Sequence, residues 1–367
     1  MDEAAVRDRL RKVDDETLGE DIVSLGLVNE ITVEDENGNE TVSIDLALGA
    51  PYSPAETAIA GAVRDALAED GIEPELSASI PSRDGANANA GAGEEAVLPN
   101  VKNVIAVSSG KGGVGKSTVA VNLAAGLADR GARVGLFDAD IYGPNVPRMV
   151  DADEPPMATE SETLVPPEKY GVKLMSMAFL VGEDDPVIWR GPMVHKVITQ
   201  LTEDVEWGHL DYLVIDLPPG TGDTQMTMLQ TMPVTGAVIV TTPQDVALDD
   251  ARKGLQMFAR HNTVVLGIAE NMATFVCPDC GGSHDIFGAG GGEAFADTHE
   301  LPFLGSIPLD PAVREGGDAG KPVVLADDGE TGAAFRTLTA NVADNVGVVH
   351  RRSVSEAVSS REPPAEE

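Results

Sequence analysis

The feature that most narrows the folds open to this 367-residue chain is the run Gly110-Lys111-Gly112-Gly113-Val114-Gly115-Lys116-Ser117-Thr118. It fits G-x-x-x-x-G-K-[ST], a pattern with meaning only where a strand delivers the loop and a helix receives it. Both flanks comply. Val104-Ile105-Ala106-Val107 is a short, β-branched apolar run that reads as a buried strand. Lys116 to Arg130 carries Val119, Leu123, Ala124 and Leu127 at helical spacing and stops at Gly131. Glycines let successive N–H groups turn inward onto phosphate oxygens, and the helix N-terminus adds its dipole. Lys116 is then placed to neutralise β- and γ-phosphates, and the Ser117 hydroxyl to ligate magnesium.

From residue 101 onward strands and helices alternate, which implies a parallel sheet with crossover helices. The expected fold is α/β: a mostly parallel P-loop NTPase sheet with flanking helices, plus a small N-terminal α+β domain. Val134-Gly135-Leu136-Phe137 reads as a second strand ending in Asp138-Ala139-Asp140. Residues just past strand C-termini line the ligand crevice of such a sheet. Asp138 is therefore a candidate for the magnesium shell and Asp140 for orienting the attacking water. An aspartate there also suits a helix cap. Asp211-Tyr212-Leu213-Val214-Ile215-Asp216 is another apolar strand ending in an acid, the pattern of a magnesium-binding Walker B carboxylate. Leu217 to Asp223 is a glycine-bearing loop suited to a switch. Ile188 to Pro192 leads into an expected helix, Met193–Leu201, on which His195 has no visible partner. Val264–Ile268 reads as a strand leading to Glu270-Asn271-Met272, and Leu304–Asp310 as the last core strand and turn.

Residues 1–80 carry a different pattern. Val6, Leu10 and Val13 form one helical face, and Val42, Ile44, Leu46 and Leu48 alternate as in a half-buried strand. Asn37-Gly38 signals a hairpin turn, and Ile59, Val63 and Leu67 mark a second helix. Residues 81–100, rich in Gly, Ala and Asn, read as a flexible linker; the ATPase-type domain spans 101–347, and 348–367 reads as a polar tail. The formal charge is −36, from 25 basic and 61 acidic residues. That balance argues against nucleic acid and against anionic membrane surfaces, and matches proteins of salt-rich, halophilic cytoplasm. The charged N-terminus has no apolar core, so no signal peptide is expected, and no apolar run reaches membrane-spanning length. The expected location is cytoplasmic.

Cys277-Pro278-Asp279-Cys280 holds the only two cysteines. Two thiolates fall short of the four ligands such sites normally need. His284 is near enough in sequence to add one, or a second chain supplies two more. A bridging cluster, an intersubunit zinc and a redox dithiol all remain open on ligand softness.

Family resemblance bears on these choices. Lys111, directly after the first glycine, resembles the second lysine of the deviant phosphate loop of MinD/ParA ATPases. In that class it reaches the nucleotide of a partner subunit, which implies ATP and a homodimer here. The resemblance also assigns the water-orienting role to Asp140 and places Asn271 against the adenine edge, with Pro308 nearby. Residues 271–295, from Asn271-Met272 through Cys277 and Cys280 to Gly290-Gly291-Gly292-Glu293, look like the Mrp/ApbC branch, which plain MinD and ParA proteins do not share. Asp15-Glu16-Thr17-Leu18-Gly19-Glu20-Asp21 and its continuation to Val28 resemble the PaaD-like iron-sulfur assembly domain. Gly49-Ala50-Pro51-Tyr52-Ser53-Pro54 lacks the cysteine many relatives carry there. The resemblance implies an ATP-hydrolysing carrier. Its 4Fe-4S cluster would be bound by Cys277 and Cys280 of two chains, received from cluster donors and passed to apo iron-sulfur proteins. The rival is a nucleotide-switched positioning ATPase. That needs a basic amphipathic C-terminal helix, whereas Arg351, Arg352 and Arg361 here are mixed with Glu356, Glu362, Glu366 and Glu367.

Overall fold

The computed structural model describes residues 2–36, 39–80, 97–141, 143–152, 154–180, 198–199, 202–277, 279–326 and 329–360. The Asn37-Gly38 turn, most of the 81–100 linker, the Ile188–Pro192 tract and His195 lie outside them, as does most of Met193–Leu201. The described chain divides into two compact units, Met1–Glu95 with Ala343–Glu367, and Ala96–Val342.

The first unit builds on α1 (Glu3–Leu10), β1 (Val28–Glu36), β2 (Asn39–Leu46), α2 (Pro54–Ala68) and β3 (Glu75–Ala78). Its sheet has the order β1-β2-β3, antiparallel then parallel. The alternating Val42, Ile44 and Leu46 of β2 meet Val6 and Leu10 of α1 and Ile59, Val63 and Leu67 of α2 in one buried cluster. Ser53 caps α2, its hydroxyl accepting from the Glu56 N–H at 3.2 Å.

The same unit corrects the reading of a polar tail from 348. The last helix runs from Glu330 to Ser359, and Arg351 on it is fully buried. Arg351 Nε donates to Asp15 Oδ2 at 2.6 Å and its Nη1 to Glu56 Oε1 at 3.1 Å. Asp344 accepts from the Ser53 hydroxyl at 2.6 Å and the Ala55 N–H at 2.9 Å. Arg351 reads as solvated in sequence because its acids lie some 300 positions away, 336 for Asp15.

The second unit holds β4 (Val101–Ser109), α3 (Lys116–Asp129), β5 (Val134–Asp138), α4 (Val146–Met149), β6 (Glu168–Lys169), β7 (Val172–Ser176), β8 (Leu210–Asp216) and α5 (Asp223–Thr231). It continues with β9 (Gly236–Thr241), α6 (Asp245–Arg260), β10 (Val265–Val276), β11 (Ser283–His284), α7 (Gly291–Thr298), β12 (Phe303–Leu309) and α8 (Pro311–Asp318); the long last helix is α9. Nine strands form one sheet in the order β6-β7-β5-β8-β4-β9-β10-β11, with β12 also on β10. Six strand pairings run parallel, and among the described residues β6 and β11 add the antiparallel edges. Parallel strands buried on both faces need continuous apolar runs, and β5 and β8 are buried at every position. β10 is longer than the sequence suggests, carrying on past Asn271 to Val276.

A candidate nucleotide site and a cysteine turn

The sheet register decides what converges at the strand C-termini. β4 delivers the phosphate loop into α3. Asp216, last on β8, pairs with Asp138, last on β5, and Asp138 with Ser176, last on β7. The two carboxylates and Ser176 thus stand side by side in one buried row. The Ser176 hydroxyl donates to Asp138 Oδ2 at 2.8 Å, and the N–H groups of Asp140 and Val146 reach the Asp138 carboxylate at 3.2 Å each. Burial first, and the neighbouring Asp216 second, push the Asp138 carboxyl up to about 7 against those three donors. Burial likewise raises Asp216, opposed by Lys116 and Ser117, with Asp140 adding to the rise.

Lys116 forms a buried ion pair with Asp216 Oδ1, and its ammonium also lies 3.5 Å from the Ser117 hydroxyl. Asp216 Oδ2 is buried without a hydrogen-bond partner among the described residues. The Asp138 and Asp216 carboxylates, the Ser117 hydroxyl and the uncommitted Asp216 oxygen are hard donors of the kind a dication takes. Asp138 and Asp216, two of the residues expected at a magnesium site, stand at neighbouring strand ends, with the Lys116 ammonium supplying positive charge there. Asp140, 9% exposed, holds the Gly143 N–H at 3.2 Å, so it anchors the loop after β5 from inside the same acid group.

The loop itself has the shape its glycines predict. Gly115 caps α3 at φ +84°, and a Cβ there would lie 2.1 Å from Asn271 Nδ2. Only glycine meets both demands. Gly110 leaves room for the Asp250 backbone of α6. Asn271, buried at 4% exposure, donates from Nδ2 to the Val114 carbonyl at 2.8 Å. It therefore braces the loop and faces a cleft of about 380 Å³ bounded by Gly115, Thr118, Arg148, Asn271, Met272 and Pro308. The cleft lies beside the phosphate loop, where the base and ribose of a nucleotide held there would extend. Lys111 is half-buried and makes no ion pair among the described residues.

Two anchors escaped the sequence reading. Glu270, buried next to Asn271, accepts the Gly292 N–H at 2.6 Å and the Ser306 hydroxyl at 3.3 Å, pinning the start of α7. Gln225, 1% exposed, donates to the Pro218 carbonyl and fixes the loop after β8. That loop is also stitched to β4 by Leu217 N–H to Val107 O and Gly220 N–H to Ser109 O, both 3.0 Å. The only sequence signals were an acid or amide beside a recognised motif.

β10 and β11 form a hairpin that presents the cysteines. Cys277 N–H donates to Gly282 O at 2.9 Å and Gly281 N–H to Cys277 O at 2.8 Å. The backbone N–H groups of Cys280 and Asp279 point at the Cys277 sulfur and hold its thiol below the ordinary thiol value. That favours the thiolate, the form that binds metal. Cys277 is half-buried and Cys280 exposed, both unpaired as disulfides. Among the described residues no three His, Cys, Asp or Glu side chains group as a metal site, so His284 does not complete one with the pair.

Sheet order, phosphate loop and paired acids define a P-loop NTPase with a MinD-like sheet. A solved MinD cell division ATPase from Pyrococcus furiosus is 26% identical, with TM-score 0.50 over 66% of this chain and 98% of that one. A nucleotide-binding protein from Archaeoglobus fulgidus, solved in complex with ADP and with cobalt, is 39% identical. It gives TM-score 0.55 over 61% of this chain and 88% of that one. Residues 100–343 match the ParA family described as the NUBPL iron-transfer P-loop NTPase, and residues 3–74 match an iron-sulfur cluster assembly protein family. The iron-sulfur cluster carrier protein of Deinococcus radiodurans is 44% identical over 362 residues, 97% of this chain and 98% of that protein. The chain belongs to this family of P-loop NTPases that carry and transfer iron-sulfur clusters.

Proposed function

We propose that the chain binds and slowly hydrolyses ATP in the cytosol as the control step of 4Fe-4S cluster transfer, with the cluster held between two copies. The observation that carries this reading is the shortfall at the cysteine turn. Two thiols are presented on a hairpin with backbone N–H groups favouring thiolate, yet among the described residues no three His, Cys, Asp or Glu side chains group as a metal site. A second copy related by a two-fold axis supplies two more thiolates and makes a four-thiolate site. Lys111, half-buried without an ion pair, has its task at that same axis, on the partner's nucleotide.

In the nucleotide site Lys116 leaves Asp216 for the β- and γ-phosphates, and Ser117, Asp138 and Asp216 are the residues that would hold magnesium. The metal supplies neutralisation of phosphate charge. Asp140 orients the attacking water from the loop after β5. Asn271 and Pro308 hold the base end of the cleft. Apo iron-sulfur proteins take the cluster, and cluster donors load it.

The test is native mass spectrometry of full-length protein reconstituted anaerobically with iron and sulfide. A dimer carrying four irons and four sulfides supports the reading. A colourless dimer with one zinc, or cluster bound to a monomer, overturns it.

A further inference from the structure

The base cleft and the cysteine turn are carried by one strand, β10, and its ladder is broken between them. Asn271 pairs with Ile307 and Phe275 with Leu309, so Met272, Ala273 and Thr274 stand opposite the single Pro308 of β12. Proline has no N–H to give the ladder, and extra residues are accommodated there as a bulge. Met272 sits at φ +57°, a left-handed conformation costly for a side chain of its size. Met272 and Pro308, the two faces of the break, both line the cleft. Beyond it only Phe275 and Val276 remain, paired with His284 and Ser283, before Cys277. The Thr274 hydroxyl donates to Asp285 Oδ1 at 3.3 Å, tying the bulge to the far arm of the cysteine hairpin. Strained backbone persists where surrounding structure holds it, and such positions cluster at switches.

We infer that the bulge at Met272–Thr274 relays occupancy of the base end of the cleft to Cys277 and Cys280. A base seated between Met272 and Pro308 resets the bulge, and the hairpin carrying the thiols moves with it. The inference rests on the nucleotide reading above and names how that site is read out. It differs from a relay through the loops after β5 and β8, which would answer to the phosphates alone.

The test uses reduced, metal-free, full-length protein. Iodoacetamide alkylation rates of Cys277 and Cys280 are measured alone, with magnesium ADP, and with magnesium pyrophosphate, each at a concentration calorimetry shows to be saturating. ADP is expected to change the rates at least about fivefold, the lower end of typical coupling between sites. Pyrophosphate is expected to leave them near the ligand-free values. Thr274→Val, outside the cleft lining, is expected to bind ADP normally and lose most of the response. Equal responses to ADP and pyrophosphate, no response with ADP bound, or an undiminished response in Thr274→Val would overturn the relay. Failure to bind ADP at all would remove the nucleotide reading itself, and the relay with it.

Discussion

At the scale of single residues, the site is a problem of buried charge. Burial disfavours ionisation of Asp138 and Asp216, and Lys116 forms a buried ion pair with Asp216. A phosphate that drew Lys116 away would free Asp216 Oδ1 beside the already uncommitted Oδ2, leaving both oxygens for a dication. Lys111 makes no ion pair among the described residues, and in the role proposed for it its substitution separates binding from turnover. Lys111→Ala is expected to lower ATP hydrolysis about a hundredfold or more, as loss of a transition-state cation does, while ADP affinity by calorimetry stays within a few-fold. Unchanged turnover would contradict the role given to Lys111. A different charge cluster sets acid stability. Burial of Asp211 works against its ionisation, but the bonds from Arg133 and then Lys102 win and hold it at about 2. A fall from 3.8 to about 2 is worth at most about 2.5 kcal/mol. Arg133 and Lys102 are 55% and 46% exposed, and solvent screening brings that to about 1 kcal/mol. Because the folded value is depressed, this stabilisation is present above about pH 4 and lost as pH falls through about 2. Arg133→Met should lower Tm at neutral pH, with the gap to wild type closing toward that lower limit. The motif residues were legible because each stands in the loop itself or just at or past the end of an apolar strand run. The Lys116–Asp216 pair was not, because which partner a lysine takes in the absence of phosphate depends on three-dimensional register.

At the scale of elements, strand ends place the chemistry and helix starts secure it. The apolar runs at residues 104–107 of β4, 134–137 of β5 and 212–215 of β8 were plain in sequence because the middles of parallel strands buried on both faces are apolar, with polar residues kept to the strand ends. β10 was harder. It turns from buried core to exposed hairpin within one strand, and the bulge at Met272 breaks the two-residue period there. The last helix was misread because its seal is one side chain. Arg351 neutralises Asp15 and Glu56 inside the first unit, and Glu56 is raised by burial despite the Ala50 N–H, Arg351 and the Gly49 N–H. Removing one partner from such a buried network costs about 3–5 kcal/mol. Arg351→Ala is therefore expected to speed amide exchange across α2 and β2 and lower the first unit's melting temperature, with ADP binding in the second unit retained. Exchange in α2 that matches wild type would show that the buried network contributes little.

At the scale of the whole molecule, 61 acids against 25 bases give a surface that repels itself. Salt at about 1 M shrinks the reach of that repulsion to about 3 Å. Melting temperature is expected to rise steadily with potassium chloride; a flat or falling profile would mean the acids are locally compensated. No helix among the described residues is long and apolar enough to cross a membrane. The family, the phosphate loop and the iron-sulfur assembly domain together give the chain its assignment to cluster transfer. What sequence could not supply was the completeness of the cysteine site; on the reading proposed above, a ligand set shared between copies would leave only half its signal in one chain. The most direct measurement follows from that half-site. Wild type and the Cys277→Ser/Cys280→Ser variant are reconstituted anaerobically with iron and sulfide, and each is mixed with an apo-ferredoxin acceptor while acceptor activity is followed. Wild type should take up a brown chromophore and restore the acceptor, and the variant should do neither. Equal transfer by both proteins, or a wild type that binds no chromophore, would contradict the account.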